Sequence, residues 1–329
     1  MQRLKETIYP EMLFLFPNLS GSDLATFGFT YHLGAAYILA YLKKEGIYAS
    51  QFIHNGSIDL YALTDKVLMQ HPESLGFTCY DTNYYLLKLI SQLLKNKEPS
   101  VPIIVGGPTA TFSSELIMQD NPAIDICVRG EGEHTVYELI KRLRMKQSIS
   151  DIKGITYRSG EEIVQTPDRP LITGMKKNEL GLDALPSPYL NGIFLKNNKD
   201  FNILTSRGCV FKCTYCNFSP LSRWTIRYHS IERVISELKI IEKVYQDQNI
   251  EVENRVVSIE DDTFSFNIKR AKQICHRIIE EKIQLHLCAQ TRPDRVDKEL
   301  LELMHKAGFH QTGLGLESAS PKILRIIKK

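Results

Sequence analysis

Short β-rich runs alternate with longer helical ones from Glu11 to about Arg144, and this rhythm constrains the fold more than any other feature of the chain. Five runs, Met12–Phe16, Tyr48–Ile53, Ser74–Cys79, Ile103–Val105 and Ile124–Val128, are apolar, β-branched or aromatic and close on Pro, Asn or Gly, as strands do. The first helical stretch, Gly28 to Lys44, sets Lys43 and Lys44 on the negative end of its dipole and Gly46 as its stop. Residues 1–150 are therefore expected to form an α/β domain with a Rossmann-like (flavodoxin-like) parallel sheet wrapped by helices. From Ile152 to Thr173 the period becomes strand-like, with Ser159-Gly160 as a hairpin turn. Pro170, Pro186 and Pro188 among polar residues read as an extended linker, so residues 151–200 are taken as hairpin and connector with a boundary near 200.

Alternation returns over residues 201–329. Strands Asn202–Thr205, Arg255–Ile259, Gln284–Ala289 and Gln311–Leu316 are separated by helices Ile231–Tyr245, Ile268–Lys282 and Lys298–Lys306, and another helix starts at Pro321. This predicts a partial (β/α) TIM-type barrel. A closed eight-stranded barrel takes about 250 residues, so the second domain reads as incomplete and the chain as C-terminally truncated.

Lys and Arg number 41 against 38 Asp and Glu, a net charge of +3 that offers no strong pull toward nucleic acid or an acidic membrane surface. No run reaches the roughly 18 apolar residues a membrane span needs, and the amino end carries Lys5, Glu6 and Glu11 where a secretory signal would be apolar. The expected location is the cytoplasm.

Loops at the carboxyl ends of the strands are where open α/β sheets bind ligands. In the first domain these are Pro17-Asn18, Thr78 to Asn83, Gly106-Gly107-Pro108-Thr109 and Arg129-Gly130-Glu131-Gly132-Glu133. Gly106-Gly107 lets a ligand approach the backbone with no side chain in the way. There is no GxGxxG opening the first helix and no P-loop, which disfavours a dinucleotide or nucleoside triphosphate.

Seven cysteines make an odd count for a disulfide framework, and three of them, Cys209, Cys213 and Cys216, fall within eight residues directly after a predicted strand. Three thiolates on one loop can hold three irons of a [4Fe-4S] cluster and leave the fourth with an open coordination position. Structural zinc, with His229 as a fourth ligand, is the competing reading, although such sites usually draw on two separated ligand pairs.

Thr205-Ser206-Arg207-Gly208-Cys209, the CxxxCxxC triplet with Tyr215 before its last cysteine, Asp261-Asp262-Thr263-Phe264 and Gly315-Leu316-Glu317-Ser318 together resemble the radical S-adenosylmethionine superfamily. The resemblance implies that S-adenosylmethionine chelates the open iron and is cleaved by one electron to a 5′-deoxyadenosyl radical. It places Tyr215 by the adenine and gives Glu260, Asp261 and Asp262 the methionine ammonium. Arg292 would take the methionine carboxylate, and Glu317 and Ser318 the ribose. The first domain resembles the cobalamin-binding domain of the cobalamin-dependent branch, notably in Gly106-Gly107-Pro108-Thr109-Ala110-Thr111 and Val128 to Glu133. That resemblance implies that Asn18, Thr78, Thr109 and Thr111 bond corrin amides or the nucleotide tail, with Gly106, Gly107, Gly130 and Glu131 on the same edge. No DxHxxG occurs in the first half, and His32 and Gly34 are too close together to supply it.

The implied activity is methyl transfer to an unactivated carbon of a small molecule or peptide, with a flavodoxin or ferredoxin as electron donor and neither nucleic acid nor membrane as partner. Radical cyclisation or rearrangement shares the architecture, and a non-catalytic cobalamin- and cluster-binding module is the alternative from another class. Methylthiolation of transfer RNA is disfavoured, because Cys79 and Cys127 are only two where a second cysteine trio is needed. Trp224, Arg223 and Arg227 read equally as substrate-facing or as surface residues.

Overall fold

The structure, a computed structural model, describes residues 9–19, 32–56, 59–173, 181–193 and 201–329, without the side chains of residues 16–19 and 54–56. Contacts divide it into two compact units, Met1–Leu171 and Ile172–Lys329.

In the first unit, β1 (Met12–Leu19), β2 (Ala49–Gly56), β3 (Leu75–Thr78), β4 (Ile103–Gly106) and β5 (Ile126–Val128) pair in parallel. Between them run α1 (Leu33–Lys44), α2 (Leu60–Leu68), α3 (Tyr84–Lys97) and α4 (Pro108–Asp120), and α5 (Gly132–Arg144) follows β5. The amino-terminal part of the helix expected from Gly28 lies outside the described residues. Alternate strand residues go to opposite faces. Leu13, Leu15, Leu75, Phe77, Ile103 and Val105 share one core with Leu87, Ile90 and Leu94 of α3. Met12, Phe14, Ile104 and Ile126 are also buried. Burial on both faces is why these strands read as continuous apolar runs. The order is β2-β1-β3-β4-β5, the flavodoxin-like order the alternation suggests, extended by β6 (Ile155–Ser159) and β7 (Glu162–Gln165).

That extension departs from the sequence reading. The hairpin is not a connector but an antiparallel continuation of the first sheet, β6 pairing with β5. Arg129 fixes it there: the buried guanidinium donates to Ile155 O and Thr156 Oγ1, both at 2.6 Å, to Thr166 O, and to Asp168 at 3.1 Å. Arg129→Met should lower the stability of this unit by about 1.5–3 kcal/mol, the scale of hydrogen bonds to a charged group, as a reduced urea midpoint.

The second unit begins earlier than the prolines suggest. Within residues 181–193, Leu182, Leu185 and Tyr189 are buried. Ser187 donates to Glu237 at 2.7 Å, and the Tyr189 hydroxyl donates to Asn202 O. Apolar side chains between the prolines anchor this stretch, so it is packed and not an extended linker; residues 174–180 and 194–200 lie outside the described residues. Four parallel strands follow in sequence order across the sheet, β8 (Phe201–Ile203), then, after the short β9 (Ser206–Arg207) and β10 (Arg227–Tyr228), β11 (Val256–Ile259), β12 (His286–Thr291) and β13 (Phe309–Leu314). Helices α6 (Phe218–Leu221), α7 (Ile231–Asp247), α8 (Ile268–Glu280), α9 (Lys298–Lys306) and α10 (Pro321–Ile326) complete it. Side-chain caps start four of these helices: Ser230 for α7, Asn267 for α8, Asp297 for α9 and Ser320 for α10. Sequential order in a parallel sheet is the arrangement of a partial (β/α) barrel. Among the described residues no helix is long and apolar enough to cross a membrane.

Candidate functional site

In a 2-1-3-4-5 sheet the ligand crevice opens at the carboxyl edge, at the switch point between β1 and β3. Asn18 lies on β1, paired with Asn55, but its side chain is outside the described residues. Thr78 ends β3, and its carbonyl accepts from Asn83 Nδ2 at 2.9 Å while Asn83 Oδ1 accepts from the Tyr80 amide at 2.9 Å, which closes this loop on itself. The Tyr80 hydroxyl shares a hydrogen bond with His32 Nε2. Burial pushes His32 down to about 4, so the ring is neutral at pH 7.

The two glycines after β4 do different work. Gly107 has φ +97°, and a Cβ there would stand 2.8 Å from Cys79 O and 3.0 Å from Thr78 Cγ2. Its missing side chain makes room for the chain's own β3 loop. Among the described residues Gly106 faces only Val128 O, at 3.8 Å from a built Cβ, and nothing lies within 4 Å at Gly130. No described residue therefore fills the space beside these two glycines at the ends of β4 and β5. Thr111 ties these two loops, donating to Gly107 O at 2.9 Å and accepting from the Gly130 amide at 3.0 Å; Thr109 donates to Asp81 at 2.7 Å. Glu131 stands at the N-cap of α5. Bare backbone at Gly106 and Gly130 suits a large ligand that lies against the main chain.

In the second unit the cysteines lie in a loop that leaves and returns through a small ladder, Ser206 opposite Tyr228 and Arg207 opposite Arg227. At its entry Gly208 has φ +97°, and a Cβ would meet Thr225 O at 2.1 Å, so no other residue fits without moving backbone. Cys209 is buried, its amide donating to Ser222 Oγ at 3.2 Å; Cys213 and Cys216 are half-buried. The three thiols share one loop, yet no group of three His, Cys, Asp or Glu side chains among the described residues is arranged to hold a metal ion. The donor set itself, three thiols within eight residues, suits iron–sulfur chemistry. His229, the candidate fourth ligand for zinc, is buried and engaged at Nδ1 by Asp183 at 3.0 Å. Hydrogen bonds from His229 and Ser230 hold Asp183 well below the usual carboxylate range, against desolvation, the largest effect, which works the other way.

The topology brings Glu260 to Asp262, Arg292 and Glu317-Ser318 to the same carboxyl edge, after β11, β12 and β13. Two of them, Asp261 and Arg292, are already engaged by the chain's own groups. Asp261 is buried and saturated: it accepts from the Thr205 amide (2.6 Å) and hydroxyl (2.5 Å) and from the Ser206 amide (2.9 Å) and hydroxyl (2.7 Å). Four bonds fill its two oxygens, so it braces the root of the cysteine loop and has no acceptor left for an ammonium. Arg270 backs it by donating to Thr205 Oγ1 and Thr205 O, both at 3.0 Å. Glu260 is exposed. Asp262 is also exposed, although protein crowds one side of its carboxyl; desolvation, then the neighbouring Asp261, push it up to about 6 while the Gly208 amide pulls it down.

Arg292 is likewise engaged. Its Nε and Nη2 donate to the two Asp294 oxygens at 2.9 and 3.1 Å, and Nη1 to Cys213 Sγ at 3.5 Å, so the fork assigned to a methionine carboxylate is already filled. Tyr215 is 51% exposed and bonded to Glu317; burial and then that bond raise its hydroxyl pKa, while Glu317, which also pairs with Lys329 at 3.2 Å, is held low. Ser318 Oγ accepts from the Ser320 amide at 3.1 Å, a local turn. Arg227 is buried, donating to Ile172 O at 2.7 Å, and is structural; Trp224 is 48% exposed. Arg223 and Trp224 take consecutive left-handed φ values of 51° and 53°, costly for non-glycine residues and concentrated at functional sites. Phe211, Asp294 and Arg270 are absent from the sequence reading, because only tertiary contact gives them a role.

A flavodoxin-like sheet with a bare-backbone cradle, followed by a parallel half-barrel with three thiols at its carboxyl edge, defines a class of two-part α/β proteins equipped for corrin and iron–sulfur ligands. The comparisons agree: the B12 binding domain matches residues 23–140 and the Radical SAM superfamily matches residues 203–329. The chain thus combines a B12 binding domain with a Radical SAM superfamily domain. It is 33% identical to the uncharacterized methyltransferase PH0819 of Pyrococcus horikoshii over 90% of this chain and 63% of that one. It is 27% identical to an anaerobic magnesium-protoporphyrin IX monomethyl ester cyclase of Synechocystis over 81% of this chain and 52% of the cyclase. The fold matches the radical S-adenosylmethionine methyltransferase TsrM of Kitasatospora setae, solved with cobalamin and a [4Fe-4S] cluster bound, with a TM-score of 0.73 at 16% identity over 96% of this chain and 60% of that one. The chain thus spans between half and two-thirds of the length of these relatives.

Proposed function

We propose that the chain provides the cobalamin-binding and radical-generating parts of a methyltransferase that acts on an unactivated carbon. The observation that carries this reading is the pairing of two carboxyl edges in one chain, a glycine-lined one at β4 and β5 and a three-cysteine one after β8. When bound, the cluster supplies an electron to cleave a carbon–sulfur bond of S-adenosylmethionine, and the corrin supplies the methyl group. Cys209, Cys213 and Cys216 would hold the cluster, and Glu260 and Asp262 the methionine ammonium. Asp261 and Gly208 keep the cysteine loop in place. The electron donor would be a small redox protein such as flavodoxin or ferredoxin.

One face of the second sheet supports a polar substrate. Val257, Ile259, Leu287 and Ala289 are buried on the other face. The alternate positions Ser258, His286, Cys288, Gln290 and His310 are polar or weakly polar and only partly covered, with Cys288 Sγ 3.5 Å from His310 Nε2 and the His286 and His310 rings 5.3 Å apart. Closed barrels fill this interior with layers of branched aliphatics; here it offers hydrogen-bonding groups. The likeness to cyclases favours radical cyclisation as a second reading. After anaerobic reconstitution with iron, sulfide and hydroxocobalamin, the methyltransferase reading expects retained corrinoid and 5′-deoxyadenosine on reduction; retention of a flavin or nicotinamide in place of corrinoid would overturn it.

Asp262 makes S-adenosylmethionine binding pH-dependent. Its folded-state pKa of about 6 lies above the ordinary 3.8, so the folded chain holds a proton that the unfolded chain has released between these values. Stability from this group is present below pH 3.8 and lost as the pH rises through about 6. An ammonium needs the ionised form, so affinity should rise with pH through about 6 and level off above it, and Asp262→Asn should flatten that profile in calorimetric titrations. A flat profile in the unmodified protein would remove Asp262 from the site.

A further inference from the structure

We propose that Arg292 sets the reduction potential of the cluster through the Cys213 sulfur, and that Asp294 and Phe211 hold it in position to do so. The inference rests on the reading of Cys209, Cys213 and Cys216 as cluster ligands. Arg292 is buried, and each part of its guanidinium is assigned. One edge donates two bonds to the Asp294 carboxylate, at 2.9 and 3.1 Å. Its carbon lies 3.8 Å from the centre of the Phe211 ring, within cation–π range. The remaining nitrogen, Nη1, donates to Cys213 Sγ at 3.5 Å.

Two of these three anchors do not involve the thiol. Asp294 follows across Pro293, and Phe211 packs edge-on against Phe266 at 5.7 Å, so the donor is preorganised toward the sulfur by its neighbours. The pair with Asp294 is neutral as a whole. What it presents to the sulfur is an N–H and the positive end of a dipole.

Reduction of an iron–sulfur cluster adds negative charge that is shared with its thiolate sulfurs. A hydrogen bond to such a sulfur stabilises the reduced form more than the oxidised one and raises the potential. Arg292 thus acts through Cys213 as a positioning residue that eases the first electron transfer. It does not take the methionine carboxylate, because Asp294 occupies the bidentate edge that this carboxylate would need.

The test is an EPR-monitored redox titration of the anaerobically reconstituted full chain without S-adenosylmethionine, for the unmodified protein, R292Q and R292K. R292Q is expected to shift the midpoint to a more negative potential, and R292K to shift it in the same direction by less, since the positive charge stays but the planar fork that aims an N–H at the sulfur is lost. S-adenosylmethionine affinity, measured on the oxidised protein, is expected to be unchanged in R292Q. An unmoved midpoint in R292Q overturns the proposal, and one accompanied by weakened S-adenosylmethionine binding restores the carboxylate role. Should R292Q fail to take up iron, the R292K midpoint decides: a negative shift supports the proposal and an unmoved value overturns it. Failure of the unmodified chain to form any cluster would instead remove the ligand reading beneath it, and is told apart by iron analysis.

Discussion

Replacing Asp261 with alanine is expected to lower the stability of the second unit by about 3–5 kcal/mol, the cost of breaking a buried charged network by removing one partner. The carboxylate accepts four hydrogen bonds from Thr205 and Ser206, and all of these donors are buried. Its loss strands two amides and two hydroxyls away from water and leaves Arg270, which also bonds Thr205, without the negative charge it faces. Because Ser206 is one rung of the ladder that closes the cysteine loop, the damage should reach the thiols. The expected readout is a large drop in the denaturation midpoint of the apo chain, with iron uptake falling in parallel. Asp261→Asn should lose less, since the amide oxygen keeps two acceptor sites while its NH2 faces donors. If Asp261→Ala unfolded like the unmodified chain but failed to bind S-adenosylmethionine, Asp261 would be a ligand contact and not a brace.

Cys213→Ala carries the largest expected effect on activity. With two thiols left, the cluster loses a protein ligand, and 5′-deoxyadenosine formation should fall to the background of a cluster-free protein. Cys213 sits on the surface of its loop, half-buried, so its removal should leave the denaturation midpoint of the apo chain nearly unchanged. Cys275→Ala, at a buried thiol in α8 whose pKa is pushed up to about 12 by desolvation, is the control: it should keep cluster and product formation while costing stability. Equal 5′-deoxyadenosine from Cys213→Ala and the unmodified chain would dismiss the cysteine triplet as the reactive centre.

The parts legible in the sequence are those that depend on period and on strand ends. The strands β1, β3, β4 and β5 announce themselves because both of their faces are buried, and in each unit the motif residues fall on the carboxyl edge because each follows a parallel strand. What could not be read is partner choice. A hairpin at 155–165 carries no mark of the edge it will join, and its attachment to β5 depends on Arg129, which looks in sequence like part of a ligand loop. Asp261 and Asp262 are adjacent and alike, but strand alternation sends one inward to four donors and leaves the other at the mouth. Arg292 looks available until Asp294, two residues on, is seen to fill its fork. The prolines around 170–188 suggest an open linker, and only the burial of Leu182, Leu185 and Tyr189 shows a packed segment.

The central claim is that three thiolates on the loop after β8 hold a cluster with one iron vacant for S-adenosylmethionine. The most direct measurement is EPR of the reduced, anaerobically reconstituted chain before and after addition of S-adenosylmethionine. The expected result is a reduced-cluster signal whose g-values change when the sulfonium compound binds, with iron in place of zinc by metal analysis. A spectrum that S-adenosylmethionine leaves untouched, or a protein that takes up stoichiometric zinc instead, would contradict it.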